Sequence, residues 1–232
     1  MDIVRIISVL GLGTVIEILP AAAAAAAIYW LIRRKKQKRI FGSDFKEIRK
    51  GSRLNETVRL LLLCWAVGAA CMTLTPPNFW YNMWRMLTFQ SFSFPAAEFH
   101  TWTFTPVWWT HFVTYSGHYL SGYSLYGRII DSVENIVLFV PLGLGAPLVW
   151  KKASFPKTVL AALIFTLTVE FVQAFIGRDG NVDDVICNTL GGVIGYLIYL
   201  LIKAVFPKFT EKCKISASEL WTNRLKPDNA PQ

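Results

Sequence analysis

Residues 158–205 read TVLAALIFTLTVEFVQAFIGRDGNVDDVICNTLGGVIGYLIYLLIKAV. Two apolar runs, 158–176 and 185–205, flank a short acidic connection. At about 1.5 Å of helical rise per residue, each is long enough to cross a hydrocarbon core of about 30 Å. Each also carries groups that lipid does not solvate: Glu170 and Gln173 on the first, Asn188 on the second, with Asp184 at its mouth. Outward from this pair, residues 132–150 and 58–75 form two more runs of spanning length, and residues 3–32 a fifth. The fifth is too long for one upright span, and Pro20 offers a kink.

Composition agrees. Of 232 residues, 53% are hydrophobic and only 17% charged, against about 25% charged in soluble domains. A soluble globule, a disordered tail and a coiled coil are excluded. The 24 basic residues outnumber the 15 acidic ones. They cluster beside apolar runs, so the excess reads as membrane topology and not as a nucleic-acid surface. The expected fold is all-α: a polytopic bundle of five transmembrane helices with an aromatic-rich outer loop.

Charge placement orients it. With the N-terminus outside and the C-terminus cytoplasmic, 20 of the 24 Lys and Arg fall on the inner side: ten in 33–53, Arg59, three in 151–157 and six in 203–226. Only Arg5, Arg85, Arg128 and Arg178 fall outside. A sixth span at 102–120 would move nine basic residues outward, so that segment is expected at the interface. The N-terminal run lacks a basic leader and is read as a retained anchor, not a cleaved signal peptide. The organisation expected is an N-terminal helix and basic loop (1–57), a membrane domain (58–206) with its outer loop at 76–130, and a cytoplasmic tail (207–232).

The intramembrane polar residues share one depth. Counted from the inner edge, Glu17 lies 16 residues above Arg33 and Asn135 16 above Lys151, about 24 Å in each case. Glu170 lies 13 above Lys157 and Asn188 15 above Lys203, about 20 and 22 Å. They also share faces: Glu170 with Gln173 and Thr166, Asp184 with Asn188, Glu134 and Asn135 with Asp131. Gly191 and Gly195 extend the Asp184–Asn188 face and admit a close helix neighbour. Ionisable groups in spans are costly, about 2.5–3.5 kcal/mol at the centre on insertion scales, and face the bundle interior or a cavity. Six acids at the outer mouth (Asp131, Glu134, Glu170, Asp179, Asp183, Asp184) meet only Arg128, Arg178 and Arg85. Either these groups glue helices together, or they line an outward pocket for a polar or cationic head group. The pocket reading takes Glu134, Asn135, Glu170, Gln173, Arg178, Asp183, Asp184 and Asn188 as ligand-binding residues.

Residues 76–130 hold 17 of the 33 aromatic residues and three formal charges. They are expected in the headgroup region, with a short amphipathic helix near 107–115, as an anchor or as a lid over the polar layer. His100, His111 and His118 lie there without metal-ligand spacing, so neither metal nor cofactor is expected. The four cysteines form no evident disulfide framework. The chain lacks a P-loop, a Gly-x-Ser-x-Gly and a Cys-x-x-Cys.

Three motifs stand in sequence: Asn135 ahead of Phe139, Pro141 and Gly143; Glu170-x-x-Gln173; and Asp183-Asp184 followed by Asn188, Gly191 and Gly195. Together they resemble the VanZ-like membrane protein family across about 65 residues (131–196). The resemblance implies a bacterial cell-envelope role linked to resistance against teicoplanin and related lipoglycopeptides. It makes membrane lipids, a lipid-linked cell-wall precursor or a lipoglycopeptide the expected partners. Two other readings stay open: an intramembrane enzyme using paired carboxylates on a lipid-linked precursor, and an ion- or proton-coupled transporter. Against the latter, the polar groups occupy only the outer half of the spans.

Overall fold

The computed structural model describes residues 12–74, 85–89, 122–175 and 181–225. Helix α1 (Leu12–Phe41) runs unbroken through Pro20. It carries on through the basic segment after residue 32, which the sequence suggests as loop. Gly42 ends it with a left-handed φ of +52°, a conformation that costs glycine nothing. A 3₁₀ turn (Gly42–Asp44) and α2 (Phe45–Gly51) lead into α3 (Arg53–Leu74). Then follow α4 (Gly122–Val149), α5 (Phe155–Gln173), α6 (Val182–Val205), α7 (Pro207–Lys214) and α8 (Ala217–Arg224).

The protein is an all-α membrane bundle. Among the described residues, four helical segments are long and apolar enough to cross a membrane: Arg53–Leu74, Ile129–Val149, Phe155–Gln173 and Val182–Val205. The fifth expected span corresponds to α1. It lies antiparallel to α3, with Cys64 donating to the Ala22 carbonyl and Ile18 beside Gly68. Helix α4 begins well before residue 131, so the end of the expected outer loop is helical. The interfacial segment 102–120, the helix near 107–115 and the three histidines lie outside the described residues.

Lipid solvation inverts the usual burial pattern. Leu61, Val137, Ile164, Phe171 and Leu201 face outward, Leu201 being 66% exposed, while small and polar residues fill the inside. Large side chains gain nothing by leaving lipid, so close backbone contact takes over. The tightest contact joins the parallel helices α4 and α6. A methyl added to Gly191 would fall on the Ile136 carbonyl, and one at Gly195 on that of Val140. From the other side, a methyl at Gly143 would fall on the Gly192 carbonyl. The small-residue stripe therefore serves an internal helix pair.

Beside this seam, Trp65 of α3, Phe139 of α4 and Phe165 of α5 form an aromatic triad with centroids 5.6–6.0 Å apart. The Trp65 indole donates to the Leu138 carbonyl at 2.6 Å. Pro141 lacks the N–H that would cap the Val137 carbonyl, yet α4 runs on through Pro141 and Pro147.

The basic segments gather at one end of the bundle. Helices α7 and α8 fold back there: Ala217 packs on Phe41, Phe45 and Ile48, and Arg224 bonds Asp44 and Glu47. Lys151 pairs with Glu219. Buried Asn55 donates to the carbonyls of Cys213 (2.6 Å) and Val149 (3.3 Å), and accepts from Arg59 Nε at 2.8 Å. One amide thus ties α3, α4 and α7 together.

Candidate functional site

At the opposite end, polar side chains of neighbouring helices meet in two tiers. In the lower tier, Asn188 of α6 donates to the Thr166 hydroxyl of α5 at 2.9 Å. Asn188 is 2% exposed, and its Oδ1 has no hydrogen-bond partner among the described residues. One helical turn above Thr166 stands Glu170, 1% exposed. Its Oε2 accepts the backbone N–H of Asn181 at 3.0 Å. One turn above Asn188 stands Asp184, whose Oδ1 accepts from Asn135 Nδ2 of α4 at 2.7 Å. Gln173, 6% exposed, donates to the Thr73 carbonyl at the end of α3, at 2.9 Å.

The sequence around residue 181 explains the local geometry. Asn181 caps α6, its side chain accepting the Asp183 N–H at 3.1 Å. Asp183 and Asp184 occupy the first turn, where the helix dipole favours negative charge. Glu170 takes the N–H of the capping residue itself. The carboxylate on α5 therefore ties that helix to the N-terminus of α6.

Of the eight residues expected to bind a ligand, Asn135, Glu170, Gln173, Asp184 and Asn188 are brought into this belt. Asp183 sits half-buried at its edge. Glu134 points outward and is exposed. Arg178 lies outside the described residues, as do Asp179 and the side chain of Glu17. Asp131 shares a helical row with Asn135 but is also exposed. The face expected to unite Asp131, Glu134 and Asn135 is thus divided, and only Asn135 turns to α6.

Four participants escape a sequence reading. Thr73 contributes only its carbonyl, and Trp65 reads as an ordinary apolar residue of a span. Asn181 carries a capping signal, a polar residue just before an acidic first turn, that a search for intramembrane charge passes over. Glu56, at the basic end, accepts both Arg33 Nε (3.1 Å) and Nη2 (3.0 Å), with Gln37 at 3.1 Å. Its signal was the lone acid between Arg53 and Arg59.

The belt presents hydrogen-bond acceptors: the buried Glu170 carboxylate, the half-buried Asp184 carboxylate and the Asn188 Oδ1, which has no partner among the described residues. Its members lie on α4, α5 and α6, helices locked by the glycine seam, with α3 joined through Thr73.

Comparison with known proteins gives this arrangement a context. The VanZ/LLP1 family model matches residues 24–203. Protein VanZ of Enterococcus faecium is 33% identical over 82 residues, which is 34% of this chain and 50% of that protein. The chain thus spans about half the length of the curated relative it matches. No solved structure matches it. The family match covers every helix from the middle of α1 to the end of α6, and on that ground the chain belongs to the VanZ/LLP1 family.

Proposed function

We propose that this protein protects a bacterial cell against teicoplanin-like lipoglycopeptides by engaging a lipid-linked envelope molecule, or the antibiotic itself, at the outer polar belt. The observation that carries the reading is Glu170. A carboxyl group 1% exposed in a spanning helix is expensive to keep, and here it is tied to the start of α6 by one backbone bond. Asn188, one turn down and across, adds a buried oxygen free to accept. The family and the E. faecium relative support the class of role.

In this reading the belt faces outward and the basic end is cytoplasmic. Support comes from the gathering of the three basic segments at the end opposite Glu170 and Asp184, as positive residues are retained inside. The N-terminus is then external, and α1 supplies the fifth span.

The test is expression in a teicoplanin-susceptible bacterial host. A raised inhibitory concentration relative to empty vector is expected. An unchanged one, with the protein present in the membrane, contradicts the function.

A further inference from the structure

The second polar assembly lies at the other end of the bundle and does not depend on the reading of the outer belt. Between the last turns of α1, α2 and the start of α3 is a cleft of about 200 Å³. Arg33, Arg34, Arg49 and Arg53 line it, with Glu56 as its one acid. Glu56 is committed to Arg33 through a two-bond fork. Arg34, Arg49 and Arg53 then have no acidic partner among the described residues.

Trp30 organises two of the three. Its ring lies 4.8 Å from the Arg34 guanidinium carbon and 5.8 Å from that of Arg49. Cation–π attraction holds each one, but it brings two like charges to a single ring. Solvent screens part of their repulsion, and an anion between them would offset the rest. Arg34 Nε is moreover buried without a hydrogen-bond partner. That leaves a donor in place, shielded from water, beside uncompensated charge.

The chemistry that completes this set is a phosphate group. Its oxygens accept from several guanidinium forks at once, and arginine suits that geometry better than lysine. The cleft also selects the source. Trp30 and Leu60 line it, and Ile28 and Leu31 of α1 and Leu61 of α3 are exposed apolar residues close to them in sequence. Trp30 stands one turn, about 6 Å, from Arg34 along α1 toward the apolar half, the level at which tryptophan meets headgroups.

We propose that this cleft binds the phosphate of an anionic phospholipid headgroup in the leaflet on the basic side. The acyl chains would then run along Leu31 and Leu61. The fixed pocket distinguishes this site from the diffuse attraction of a polybasic segment.

The experiment is native mass spectrometry of the full chain in detergent, titrated separately with phosphatidylglycerol, phosphatidylcholine and inorganic phosphate. The wild type is expected to retain one phosphatidylglycerol in preference to phosphatidylcholine. Arg34→Gln combined with Arg49→Gln should weaken that binding about thirty-fold, at about 1 kcal/mol per arginine. Arg53 is exposed, so Arg53→Gln leaves the fold intact and should weaken binding about five-fold by the same estimate. Lys35→Gln with Lys36→Gln, exposed and off the cleft, should change nothing. Equal retention of both lipids overturns the proposal. So does undiminished phosphatidylglycerol binding by the Arg53 variant, an equal loss in the lysine pair, or saturation by inorganic phosphate without any lipid preference.

Discussion

Asn135 and Asp184 stand 2.7 Å apart, on two parallel helices whose backbones come into contact at Gly191 and Gly195, about two and three turns beyond Asp184 on α6. The bond lies at the end of the seam away from the basic segments, beyond Gly143, Gly191 and Gly195. A charge-assisted bond in a water-poor site is stronger than a neutral one. Asn135→Ala and Asp184→Ala should therefore each destabilise the protein, and the double variant should lose less than their sum. A coupling of about 1–2 kcal/mol is expected in a double-mutant cycle read by unfolding in mixed micelles. Additive losses would show that the two residues act separately.

The seam makes a sharper prediction at its glycines. Gly191→Ala sets a methyl on the Ile136 carbonyl, a backbone atom that cannot rotate away. A loss of about 1–3 kcal/mol is expected from such overpacking. Gly68→Ala is the control: its methyl meets only the Ile18 side chain, at 3.5 Å. It should be neutral, or stabilising by about 0.5–1 kcal/mol through helix propensity. Thermal shift of the two purified variants compares them directly.

Much of this was legible in the sequence. Apolar runs of spanning length gave the all-α bundle because lipid demands continuous hydrogen-bonded backbone. The depth count singled out Asn135, Glu170, Asp184 and Asn188, since an intramembrane amide or acid is too costly to be incidental. Helical spacing alone did not separate Asn135 from Glu134 and Asp131. Which side of α4 turns inward is fixed by glycine contacts between helices far apart in sequence. Asn55 and Glu56 were missed for a related reason. Next to a basic segment a polar residue carries no solvation cost, so nothing marks Asn55 until α7 packs against it, and the one signal at Glu56, a lone acid among arginines, does not name its partner on α1.

Trp65 joins the aromatic triad and also donates to the Leu138 carbonyl. Trp65→Phe keeps a ring in the triad and loses the donor, so about 1 kcal/mol of stability should go. Trp65→Ala empties the site and should cost about 3–5 kcal/mol. Similar losses for the two variants would show that the indole N–H, not the packing, dominates.

Cys213 is fully buried beneath Leu148 and Tyr199, and burial pushes its thiol pKa up. A thiol held protonated and out of solvent is a poor nucleophile. With Cys64, Cys71 and Cys187 replaced by alanine, the folded protein should resist a water-soluble maleimide and label fully after denaturation. Rapid labelling in the native membrane would mean that α7 does not dock as described.

Glu170 bears the central claim, and Glu170→Gln isolates it. Glutamine keeps the size of the side chain and an oxygen to accept the Asn181 N–H, while removing the acid. The decisive measurement is the teicoplanin inhibitory concentration of a susceptible host expressing this variant at wild-type membrane levels. Return to the value of the empty vector is the expected result. Full protection by the variant would contradict the account and leave Glu170 as a brace for the start of α6.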